Sequence, residues 1–232
     1  MDILSLRLPA PDLAAPRAFY ETVLGLPIVA HTAELLTVAV GASTLTYVQR
    51  DDVVPCHVAF DIPRNKVVEA RRWLGERTAL LALDGQDVFH GDDWNATMMY
   101  FLDPAGHILE LVARHTLPND ADGAFDERLI LSISESGIVV DDVRLHVDAL
   151  ATALGLGPYH AQSSAFAPRG DEHGLLIVVQ NGRHWFPTQT PARPCPVHAV
   201  VRCALDGQYD VPDAPYSFSS PHAMAPRDGG AS

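Results

Sequence analysis

The stretch SLRLPAPDLAAPRAFYETVLGLPI, beginning at Ser5, returns in altered form as GIVVDDVRLHVDALATALGLGPY at an offset of 130 residues, with Asp142 in the place of Asp12 and Leu154, Gly155 and Leu156 in those of Leu24, Gly25 and Leu26. An internal repeat constrains a fold more than any single motif, because each copy is one supersecondary unit that must bury its apolar face against another. In the first copy, Leu4, Leu6 and Leu8 alternate with Ser5 and Arg7 as in a half-buried strand, which Pro9 and Pro11 end. Asp12 is placed to cap a helix carrying Phe19, Tyr20, Val23 and Leu24 at helical spacing, and Gly25 to stop it. Short strands are expected at Pro27 to His31, Glu34 to Val40 and Ser43 to Gln49, the last two joined at Gly41. The unit reads as βαβββ.

A second unit opens with HVAFDIP at His57, continues through a helix from Arg64 to Gly75, and closes with strands at Thr78 to Leu83, Thr97 to Leu102 and His107 to Ala113. An acidic insertion, Asp84 to Asn95, interrupts it; a loop of that length in a compact unit is usually functional or mobile. The third unit holds the repeat and expected strands at Ser164 to Ala167, Leu175 to Gln180 and Val197 to Ala204. The organisation expected is residues 1–116 as two paired units, 128–206 as a third unit with an extra strand, and 207–232 as a Pro-, Gly- and Ser-rich tail with little order of its own.

Net charge is −13, from 29 acidic and 16 basic residues, which disfavours a nucleic-acid backbone or an anionic membrane as partner. Neither a basic, apolar leader nor an apolar run long enough to cross a bilayer is visible, so a cytoplasmic protein is expected. Three cysteines without a C-x-x-C pair read as reduced core thiols. Nucleophile-elbow, phosphate-loop, dinucleotide and H-E-x-x-H patterns are absent.

The combination of the strand, D-L-x5-F-Y-x3-L-G-L-P and DPAGHILEL resembles the vicinal oxygen chelate superfamily of glyoxalases, bleomycin-resistance proteins and extradiol dioxygenases. The match spans Ile3 to Arg114 and, more loosely, Ser134 to about Val179. What it implies is an α+β fold in which units one and two pair into a curved-sheet cleft and the third unit is related to the first. It also implies ligands for a divalent metal (Mn, Fe, Ni or Zn) on the first and last strands of the units. Those positions fall on His57 and Glu110 in unit two, but on Ile3 and Thr44 in unit one, neither of which replaces a histidine or carboxylate. Glu110, a charge inside the apolar run ILELV, is thus open to three readings: metal ligand with His57, catalytic or binding carboxylate without metal, or partner of a nearby cation. Ile3, Thr44 and Trp94 are expected in the pocket wall, and Glu135 with His173 as a candidate second site. His107, three residues from Glu110 on one strand, faces the other way. GRHWFP, residues 182–187, reads either as pocket wall or as a packed interface loop.

The expected function is metal-assisted chemistry, of lyase or dioxygenase type, on a small molecule with adjacent oxygens, with Glu110 as the catalytic group. The alternative is a metal-free, drug-sequestering protein of the bleomycin-resistance type. A third unit without a partner inside the chain leads to the expectation of a homodimer.

Overall fold

The computed structural model describes residues 1–212 and 214–221. Unit one is β1 (Asp2–Ala10), a helix α1 (Ala14–Ala18) that continues as a π-helical turn over Phe19–Val23, then β2 (Ile28–His31), β3 (Leu35–Val40) and β4 (Ser43–Gln49). Unit two is β5 (His57–Asp61), α2 (Val67–Gly75), β6 (Leu80–Leu81), β7 (Phe89–Gly91), β8 (Ala96–Leu102) and β9 (Ile108–Arg114). Then follow β10 (Ser132–Val140), α3 (Val143–Leu154), β11 (Phe166–Asp171) and β12 (Gly174–Gln180), and finally β13 (Val197–Arg202), β14 (Gly207–Asp210) and β15 (Tyr216–Ser220). The acidic insertion is not an open loop: Phe89, His90 and Gly91 pair with Met98, Thr97 and Ala96 as a hairpin.

Local chemistry explains the ends of the elements. The Asp142 carboxylate accepts from the Leu145 N–H at 3.0 Å, α3 buries Val143, Val147, Leu150 and Leu154, and Gly155 stops it in the left-handed region at φ 68°. Asp12 does the same for α1, accepting from the Ala15 N–H at 2.9 Å. Gly41 must be glycine: φ is 54° and a Cβ would lie 1.9 Å from the Leu131 carbonyl oxygen.

Pairing across units departs from the expectation. β5 pairs with β10 antiparallel, while β9 lies parallel to β5 on one side and β12 parallel to β10 on the other. β1 pairs with β13 antiparallel, flanked in parallel by β4 and β15. The same parallel, antiparallel, parallel pattern occurs twice, in β9-β5-β10-β12 and in β4-β1-β13-β15, and the halves meet where Ile3 of β1 faces Ile133 of β10. Units one and two therefore do not form the cleft together: unit two pairs with the third unit, and unit one with the C-terminal strands. The reason is long-range strand complementarity, which no local pattern encodes. It also removes the unpaired third unit on which the expected dimer rested. Residues 207–220, read as tail, contain β14 and β15 with the buried Tyr216 and Phe218; the tail reading of Asp213 and of 222–232 lies outside the described residues.

The DPAGH turn fastens the halves. Asp103 accepts from the His107 N–H at 2.8 Å and from the Tyr47 hydroxyl at 2.5 Å, and Tyr47 bonds Tyr20 at 2.7 Å. His107 Nδ1 accepts from the Cys56 N–H at 3.1 Å, which makes Nε2 the donor to the Pro9 carbonyl at 2.9 Å. His107 is thus a satisfied core histidine turned away from Glu110. No described helix is long and apolar enough to cross a membrane.

Candidate metal centre

His57 opens β5, Glu110 lies in the middle of β9 and Glu135 lies in β10, so three neighbouring strands deliver one side chain each to the same face. The register does this directly: Ala59 is opposite both Glu110 and Glu135, and a bulge between Ile133 and Glu135 sets the β10 carboxylate in place. All three side chains are buried. His57 Nε2 lies 3.4 Å from a Glu110 oxygen and 3.5 Å from a Glu135 oxygen, and one donor atom from each residue falls within 4.8 Å of the others. Ligands bound about 2.1 Å from a common ion are separated by roughly 3.0–3.4 Å, so the two histidine–carboxylate spacings suit a single divalent cation held by a mixed nitrogen and oxygen set.

The surrounding charge points the same way. Arg114, completely buried, donates to Glu135 in a close ion pair and has Asp61 3.8 Å from its Nε. Burial opposes its charge, but Glu135 and Asp61 outweigh burial and hold the guanidinium above its ordinary pKa. Its Nε and Nη1 have no hydrogen-bond partner among the described residues. With all three buried carboxylates, Asp61, Glu110 and Glu135, ionised against one guanidinium, the formal deficit is two positive charges, which a divalent cation would supply. Without a cation, burial, reinforced by Glu135, pushes Glu110 well above the usual carboxylate range. Burial acts on Glu135 too, but Arg114 and His57 overcome it and keep that group low.

Burial also raises Asp61, with Arg114 only partly opposing, to a pKa of about 7. A buried acid with a raised folded-state pKa favours folding while protonated. Its contribution is full below the unfolded value near 3.8 and is lost as pH climbs to about 7. Metal-free wild type is expected to lose up to about 4 kcal/mol relative to Asp61→Asn across that window. Urea unfolding at a series of pH values checks this, and parallel curves for the two proteins would refute it.

The three groups line a cavity of about 260 Å³ whose walls include Trp94, Tyr100, Phe166, Trp185 and Phe186. The Trp185 ring packs 5.7 Å from that of His57, and Gly137 makes this contact possible, since a Cβ there would lie 2.6 Å from the indole. Tyr100 stands directly opposite Glu110 on β8, and burial together with Glu110 holds its hydroxyl proton tightly.

The sequence-derived residues fall as follows. His57 and Glu110 meet, and Trp94 lines their cavity. Glu135, assigned to a second site with His173, instead joins His57 and Glu110, because β10 and not β1 is the antiparallel partner of β5. His173 lines a different cavity, with Ile3 and Asp61. Ile3 is buried in the core and Thr44 pairs with Ser5 in the other half of the sheet, so neither belongs to the wall expected of them. The β12 residue two beyond the partner of Glu135, matching Glu110 two beyond the partner of His57, is Ile177, an apolar side chain in the cavity wall. Arg183, Trp185 and Phe186 of GRHWFP are pocket wall, whereas His90, Asp92 and Asp93 of the acidic insertion stay outside the cluster. Sequence reasoning missed Arg114 and Asp61. Each is four residues along a strand from Glu110 or His57 and so shares its face, a period-two signal present in the sequence.

No family model and no curated protein matches this chain in sequence. Solved structures match in fold. A provisionally assigned dioxygenase from Bacillus subtilis subsp. subtilis str. 168 aligns over 95% of this chain and 85% of its own, with a TM-score of 0.60 at 14% identity. Two glyoxalase I mutants from Zea mays align over 95% of this chain and 92% and 94% of theirs, with TM-scores of 0.57 and 0.58 at 11% identity. The chain thus shares the mixed α+β fold of these dioxygenase and glyoxalase I structures.

Proposed function

We propose that this protein is a metal-dependent enzyme of the glyoxalase and dioxygenase type, in which His57, Glu110 and Glu135 hold one divalent cation, Mn, Fe, Ni or Zn, at the inner end of the aromatic cavity. The observation that carries the reading is the convergence of three buried donor groups from three strands within 4.8 Å. Bound there, the ion would supply Lewis-acid polarisation of two adjacent oxygens on a small molecule. The chain's own residues do the rest. Trp94, Phe166 and Trp185 shield the reacting centre from water and offer flat faces to a planar ligand. Tyr100 fixes the carboxylate of Glu110 from the adjacent strand. Glu110, a carboxylate lining the cavity beside the ion's place, would take the proton from the ligand atom next to the polarised oxygens. Metal-free sequestration of an apolar compound accounts for the walls but gives the convergence of His57, Glu110 and Glu135 no role.

Elemental analysis of protein purified without a histidine tag tests the proposal. One divalent ion per chain is expected, absent from the His57→Ala, Glu110→Ala double variant. Wild type that neither retains nor takes up Mn, Fe, Ni or Zn at that site would overturn it. Metal-loaded protein is expected to turn over a 2-oxoaldehyde–thiol adduct or, with dioxygen as co-substrate, a catechol, and a chelator to abolish that turnover.

A further inference from the structure

A second cavity, about 270 Å³, lies in the other half of the sheet and is lined by residues of β1, β4 and the chain around β13. Three cationic or titratable side chains enter its lining: Arg7, Arg50 and His198. Arg7 is directly opposite His198 across the β1–β13 pair, and the Arg50 N–H donates to the Ala10 carbonyl at 2.9 Å, tying that residue to the end of β1. The remaining lining residues are Leu8, Pro9, Val48 and Pro196.

Like Arg72 and Arg144, these two arginines stand without an ion pair to a described residue of this chain. It has 29 acidic residues against 16 basic, yet neither the Arg7 nor the Arg50 guanidinium has a hydrogen bond or ion pair with a described residue. Arg17, Arg64, Arg71 and Arg128 all find carboxylates. Gathering two unpaired guanidiniums beside a histidine costs mutual repulsion, which an anion between them relieves. Burial lowers the pKa of His198, and the positive charges of Arg7 and Arg50 lower it further, against Asp210, which acts in the opposite sense. The Ser217 hydroxyl bonds His198 Nδ1 at 2.5 Å, orienting the ring and leaving Nε2 as its other polar atom. Planar guanidinium forks match the oxygen pairs of carboxylates and phosphates.

We propose that this cavity is a binding site for a small oxyanion, a phosphate monoester or carboxylate with a short apolar portion, held by Arg7 and Arg50 and separate from the metal centre. Both arginines are exposed, so Arg7→Gln with Arg50→Gln leaves the packed core intact. Isothermal titration calorimetry with methyl phosphate in one arm and butyrate in the other, on wild type and this double variant, tests the site. The expected result is saturable one-to-one binding in the micromolar to millimolar range in one arm, which identifies the anion. It should weaken at least tenfold in the double variant and stay unchanged in Arg183→Gln, which removes the cation lining the first cavity. The proposal falls if neither probe saturates, if the double variant binds as wild type does, or if Arg183→Gln is the variant that loses binding.

Discussion

Arg114→Met lowers the stability of the metal-free protein by about 3–5 kcal/mol, the usual cost of stripping a buried charge of its partner. Arg114 is completely buried and is the cation among Asp61, Glu110 and Glu135. Without it, Glu135, which Arg114 and His57 hold ionised, must take up a proton or stay charged in an apolar interior. The loss is expected to be partly reversed by a divalent ion, because a cation held by His57, Glu110 and Glu135 would replace part of the missing positive charge. Urea titrations of wild type, Arg114→Met and Arg114→Lys, each with and without Mn(II), measure both effects. A cost below about 1 kcal/mol would mean that the carboxylates are not held by this guanidinium, since even neutral hydrogen-bond losses reach that size.

Glu135→Ala has the other large effect. Outer-shell changes at metal sites cost 10–100-fold in affinity, and removing one of three protein ligands costs more. The apparent affinity for Mn(II) is expected to fall more than about 100-fold, and turnover with it, while circular dichroism shows the fold retained. Titration of Mn(II) followed by electron paramagnetic resonance of the free ion checks this. Unchanged affinity would reduce the centre to His57 and Glu110 and return Glu135 to a purely structural partner of Arg114.

Much of this architecture can be read from the chain alone, because its local physics is plain. The capping carboxylates Asp12 and Asp142, the helix-ending Gly25 and Gly155 and the alternation in β1 mark the repeated unit without reference to any partner. The candidate ligands His57 and Glu110 show as polar groups in apolar strands. Glu135 is legible as a ligand type but not as their companion, since β5 and β10 are joined by pairing between residues more than seventy positions apart, such as Val58 and Ser136. Loop-closure and strand-edge complementarity, not local periodicity, decide such a contact. The π-helical turn over Phe19–Val23 and the shortening of the expected Thr78–Leu83 strand to Leu80–Leu81 are likewise tertiary outcomes. Arg114 and Asp61 had a visible signal, the strand period that places them beside Glu110 and His57.

An anomalous difference map from crystals grown with Mn(II) locates the ion relative to His57, Glu110 and Glu135. A single strong peak per chain, bonded to His57 Nε2 and to one carboxylate oxygen each of Glu110 and Glu135, is the predicted result. A map with no peak among these three side chains, or with the ion bound elsewhere while they remain paired with one another and Arg114, would contradict it.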